Sequence, residues 1–148
     1  MKKIFNITIL AFTLAACGPK DATFVEQKPE NIAAFENYVP TTGGADILFN
    51  EYEHDFGTVS KEYKQKHIFY FINSGDAPLL ITNAKGSCGC TIPFFPEKPI
   101  EPGEQGKIEV EIDITNKTPQ KVFNVSVRVE SNAKNDLVKL KLKGIPTE

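Results

Sequence analysis

Three stretches in the second half of the chain alternate apolar and polar side chains with a period of two. In residues 107–115, Ile108, Val110, Ile112 and Ile114 fall on one side, and Glu109, Glu111 and Asp113 on the other. Phe123, Val125, Val127 and Val129 repeat the pattern against Asn124, Ser126, Arg128 and Glu130. Val138, Leu140 and Leu142 do so against Lys139, Lys141 and Lys143. Successive side chains leave a strand on opposite faces, so each stretch predicts a strand with one buried and one wet face. A helix would scatter the same residues around its circumference.

Upstream, residues 66–74 (KHIFYFINS) are apolar on both faces and read as an interior strand. Residues 78–84 (PLLITNA) follow a turn at Asn73-Ser74-Gly75-Asp76, and residues 47–51 (ILFNE) start the domain. Pro102-Gly103-Glu104 turns into the first alternating stretch, and Ser131-Asn132-Ala133 separates the last two. Short strands at regular intervals predict an all-β fold. The expectation is an immunoglobulin-like antiparallel β-sandwich of about seven strands over residues 46–148. His54-Asp55-Phe56-Gly57 is read as a turn, with Phe56 plugging the core and Gly57 bending the chain. The three lysines of the last strand would discourage edge-to-edge pairing if that strand lies at an edge.

The other end of the chain suggests an address. Lys2 and Lys3 precede an apolar run, residues 4–16, that is too short to span a bilayer. Leu14-Ala15-Ala16-Cys17 resembles a bacterial lipobox. That resemblance implies a signal peptide over residues 1–16, cleavage before Cys17, and lipid on the Cys17 sulfur, which would be the membrane contact. Residues 17–45 are then the lipidated terminus and a tether, exported and anchored at a bacterial cell envelope. Loss of residues 1–16 removes two lysines and no acid, taking the formal charge from −2 to −4. With Arg128 as the only arginine, the chain is a poor match for nucleic acid. The partner expected is an unidentified protein or envelope component.

Several motifs occur in a fixed order: His54-Asp55-Phe56-Gly57-Thr58-Val59, then His67-Ile68-Phe69-Tyr70-Phe71 running into Asn73-Ser74-Gly75. Pro78-Leu79-Leu80-Ile81 and Ser87-Cys88-Gly89-Cys90-Thr91 follow, then Pro99-Ile100-Glu101-Pro102-Gly103-Glu104. From about residue 49 to 145 this resembles the bacterial family catalogued as domain of unknown function fifteen seventy-three. The resemblance implies an exported protein, often a lipoprotein, with an immunoglobulin-like domain akin to chaperone-type sandwiches. It implies no activity.

Cys88 and Cys90 carry the chemistry that the sequence offers. With Cys17 assigned to lipid, two thiols remain in an oxidising compartment. On an ideal strand their Cα atoms would stand about 6.8 Å apart, beyond the roughly 5.5–6 Å a disulfide prefers, unless Gly89 allows a bend. The ring is so small that loop entropy yields only about 1.6 kcal/mol. A disulfide, a packed reduced pair and a metal site all stay open. In the metal reading His54 and His67 would complete a set of four for Cu(I) or Zn²⁺, although a packed strand histidine explains His67 more simply. A nucleophile at Cys88 or Ser87 with His54 and Asp55 has no supporting spacing, so no enzyme and no cofactor is expected. Phe94 and Phe95 cannot both face inward on a regular strand and are the candidate docking surface. The functional expectation is a non-catalytic binding or scaffolding module; the alternative is thiol-redox or copper handling by Cys88-Gly89-Cys90.

Overall fold

The structure, a computed structural model, describes Phe35 and residues 38–148. Cys17 and most of the expected tether lie outside the described residues. Eight strands follow in order: β1 (Ile47–Phe49), β2 (Glu53–Ser60), β3 (Gln65–Asn73), β4 (Ile81–Gly86), β5 (Thr91–Phe94), β6 (Gln105–Ile112), β7 (Phe123–Ser131) and β8 (Leu137–Thr147). They form two four-stranded sheets, ordered β1-β3-β6-β5 and β2-β8-β7-β4. The all-β sandwich expected from the alternation is present.

The alternation builds the core directly. Ile108, Val110 and Ile112 of β6 are fully buried beside Phe69 and Phe71 of β3. Val125, Val127 and Val129 of β7 face them from the second sheet with Val138, Leu140 and Leu142 of β8. Gly106 is required by this packing, because a Cβ there would enter the Phe71 ring. Polar groups close the loop end of the sandwich. Asn73 is fully buried, donates from Nδ2 to the carbonyls of Ala77 (2.9 Å) and Ile100 (2.8 Å), and accepts from the Gly75 N–H (3.0 Å). A buried amide is tolerated only when its hydrogen bonds are made, and here they tie two loops to β3.

The structure corrects or completes the sequence reading at several points. Residues 53–60 form a strand, β2, which runs parallel to β8, so the sandwich is not wholly antiparallel. The pairing slips between Asp55 and Thr58, where Gly57 adopts φ +64° and donates its N–H to Asp55 Oδ1 at 2.8 Å. β8 is flanked by β2 and β7, so its lysines guard no edge. Pro93 sits within β5, which is tolerated because β5 is an edge strand. Finally, the last residues of the expected tether are fastened to the domain. The Thr41 N–H reaches the Ser74 carbonyl (2.7 Å), and the Asp76 carboxylate takes the N–H groups of Gly43 (2.9 Å) and Gly44 (2.7 Å). Those bonds hold the Asp76 pKa below its ordinary value.

The facing of β7 makes a sharp prediction. Val127→Asp puts an unpaired carboxylate into the core and should cost more than about 4 kcal/mol in urea unfolding. Glu109→Gln, on the wet side of β6, should stay within about 0.5 kcal/mol. A native-like transition for Val127→Asp would mean that the facing is reversed.

Candidate functional site

The two histidines come from different sheets and meet at one side of the sandwich. His67 follows the inward phase of Phe69 and Phe71 on β3, and His54 lies on β2. Their rings stack at 3.5 Å with 11° between planes. Phe56 stands edge-on to His54 (4.6 Å) and Phe69 edge-on to His67 (4.7 Å). Glu51 Oε1 lies 2.8 Å from His67 Nε2. Glu51, preceding β2, had no sequence signal beyond being a nearby acid.

Glu51, His54 and His67 bring their ligand atoms within 4.8 Å of one another. Neither cysteine sulfur belongs to this group, so the set of four drawn from the sequence does not assemble among the described residues. Imidazole lone pairs lie in the ring plane. In near-parallel stacked rings they run side by side, and one ring would have to turn before both could meet a single ion. As it stands, the cluster is a hydrogen-bonded stack joining the two sheets. Burial, and then His67, lower the His54 pKa from its ordinary 6.5, while Glu51 and Asp55 act in the opposite sense.

Cys88 and Cys90 lie in the loop between β4 and β5 and are joined as a disulfide, with Cα atoms 5.2 Å apart. A turn closed by the Thr91 N–H on the Cys88 carbonyl (3.2 Å) brings them together. Gly89 is not what permits this: its φ is not left-handed, and a Cβ there would meet nothing within 4 Å. Gly86 is the constrained glycine, since a Cβ would strike Thr91. Thr91 is buried, with Oγ1 3.2 Å from Cys88 Sγ and 3.8 Å from Cys90 Sγ. Both cysteines pack partly buried against the core.

The groups considered for nucleophilic chemistry are otherwise engaged. Ser87 Oγ accepts the Ser126 N–H at 2.9 Å. Asp55 holds Gly57 and lies 3.6 Å from Lys143. No hydrogen bond joins Ser87 or Cys88 to His54 among the described residues. Of the aromatic pair, Phe94 is 54% exposed while Phe95 packs against the core.

Two outcomes follow. The folded state favours neutral His54, so the unfolded chain takes up that proton first as pH falls. The stabilisation is therefore complete above about pH 6.5 and is lost as pH falls through that value and below it. His54→Gln should show a smaller loss of urea stability between pH 8 and pH 5 than the parent; equal losses would remove His54 from the account. Cys88→Ser with Cys90→Ser removes a cross-link of very small loop, and should lower the melting temperature by no more than about 4–8 °C per kcal/mol over a loss near 1 kcal/mol. Collapse of the fold in calorimetry would show that the bond is a principal support.

Comparison with known structures finds similar folds in other proteins. A protein of unknown function from Porphyromonas gingivalis W83 matches with TM-score 0.61 and 15% identity, over 69% of this chain and 47% of that one. The E. coli chaperone DraB matches with TM-score 0.54 and 10% identity, over 72% and 58%. The ASH / PapD-like domain of human CEP192 matches with TM-score 0.52 and 10% identity, over 70% and 86%. At these identities the likeness is one of fold. The chain thus spans about half the length of the Porphyromonas protein. No curated protein matches the sequence. A family profile covers residues 47–145, the whole run from β1 to near the end of β8, and the chain belongs to the family described as Protein of unknown function (DUF1573).

Proposed function

We propose that the chain is an exported, non-catalytic binding module, held at a bacterial cell envelope by lipid on Cys17, that docks a protein partner along β5. One observation carries the docking. Ile92 and Phe94 stand two residues apart on the outer face of an edge strand and are 48% and 54% exposed. Neighbouring large apolar side chains left in water at a sheet edge are a common mark of an interaction surface.

The backbone of β5 favours recognition through these side chains rather than through a bare added strand. The Cys90 carbonyl accepts from Asp113 at 2.8 Å, so by alternation Thr91 and Pro93 turn their backbone groups to the free edge. Pro93 has no N–H to offer there. The non-catalytic part rests on the engagement of Ser87, Asp55, His54 and both cysteines described above. The anchor rests on the Leu14-Ala15-Ala16-Cys17 sequence alone.

Photo-crosslinking in the native cell tests the docking. A crosslinker at position 94 should give one discrete protein adduct that Ile92→Ser abolishes. The same crosslinker at Val122, an exposed apolar residue outside β5, should not give it. No adduct, or the same adduct from both positions, would reject β5 as the docking edge. Cys17→Ser should leave the membrane fraction; unchanged detergent partitioning would reject the anchor. Loss of the adduct with Cys88→Ser and Cys90→Ser, with Ile92→Ser harmless, would transfer the function to the thiol pair.

A further inference from the structure

The lysines of β8 need an explanation other than edge protection, because β8 is an inner strand. Two of them are neutralised. Lys143 lies 2.8 Å from Glu53 and 3.6 Å from Asp55, and Lys141 lies 3.9 Å from Glu53. Lys139 differs. It stands directly opposite Arg128 of β7, and Arg128 stands directly opposite Lys85 of β4. Three cations therefore form one row across three strands, centred on the only arginine of an acidic chain. Among the described residues none of the three has a carboxylate oxygen within 4.0 Å. Like charges opposite one another weaken a sheet, so the fold gains nothing from this row.

The row lines a hollow of about 490 Å³ on the outer face of the sheet. Ser87 and Ser126 line it too. Their backbones are tied together, the Ser87 N–H to the Ser126 carbonyl (2.7 Å) and the Ser126 N–H to Ser87 Oγ (2.9 Å). Neither hydroxyl proton is donated to a described protein group, so both remain for a ligand. Glu130 is the one acid in the lining, which leaves two net positive charges. Leu137, 46% exposed, supplies an apolar wall.

We infer that this hollow binds a phosphate monoester carried on a sugar. The two net charges complement the dianion. The Arg128 fork suits bidentate contact with phosphoryl oxygens, with Lys85 and Lys139 as flanking point charges and the serines as neutral donors. The volume is that of a small-molecule site and is far larger than one phosphate fills. Leu137 offers the C–H face of a sugar ring a surface to lie on. All three cations line one hollow of small-molecule size, which favours a discrete sugar phosphate over a lipid surface. This face is separate from β5, and its failure would leave the docking proposal standing.

Calorimetric titration of the purified full chain with glucose 6-phosphate at low ionic strength tests the inference. Glucose 6-phosphate should bind, inorganic phosphate more weakly, and glucose not at all. Arg128→Gln should weaken binding by about tenfold or more, as expected for loss of a charge-assisted bidentate contact. Lys107→Gln, on the other sheet, should change it less than about twofold. Unliganded Arg128→Gln should melt no lower than the parent, which separates lost binding from lost folding. Binding to phosphatidate vesicles without binding of glucose 6-phosphate would overturn the inference in favour of a lipid surface. Unchanged affinity in Arg128→Gln, inorganic phosphate binding as tightly as the sugar phosphate, or no phosphate binding would also overturn it.

Discussion

Successive side chains leave a strand on opposite faces, and β6, β7 and β8 depend on that constraint to separate a buried face from a wet one. In β7 it places Val127 in the core and Arg128 on the surface. The same rule, applied to β6 and β8, gives two inner faces whose side chains are buried in one core. Burial of Ile108, Val110, Ile112, Leu140 and Leu142 drives the association. A one-residue slip of any of these strands would exchange the core for the charged face, so the register is strongly specified. The outer row of Lys85, Arg128 and Lys139 is then a consequence of the register that builds the core.

Hydrophobic burial sets the layers, and hydrogen bonds close their ends. Buried backbone needs partners, and Asn73 supplies them for the turn that follows β3 and the loop leading to β6. Asp76 accepts the N–H groups of Gly43 and Gly44 and so fastens this stretch, residues 43–44, to the domain. At the side where β2 and β3 come together, the His54–His67 stack joins the sheets with polar rings in place of apolar ones. Protonation of His54 is opposed by its burial and then by the neighbouring imidazole, and this gives one point between the sheets its dependence on pH.

Strands β3, β6, β7 and β8 were legible because their pattern is local. β2 was not. Its partner β8 lies at the far end of the chain, the pairing is parallel, and the bulge at Gly57 breaks the alternation that would have revealed it. β5 was not read as a strand either, because the sequence does not say which strands are edges and can carry a proline such as Pro93. The Cys88–Cys90 bond was one of three open readings, because ideal-strand spacing holds the pair too far apart; the turn closed on the Cys88 carbonyl brings them together, and it needs no left-handed residue at Gly89. Glu51 and the cation row were out of reach, because each depends on elements brought together only by the register of several strands. Cys17 lies outside the described residues, and its lipidation stands on its sequence motif alone.

The register between β4, β7 and β8 underlies both the core and the outer face, and proton NMR reads it directly. Cross-strand nuclear Overhauser contacts should link Arg128 to Lys85 on one side and to Lys139 on the other, with Val127 opposite Leu140. Contacts displaced by one residue, pairing Val127 with Lys139 or Lys141, would put the valines in water and contradict the account.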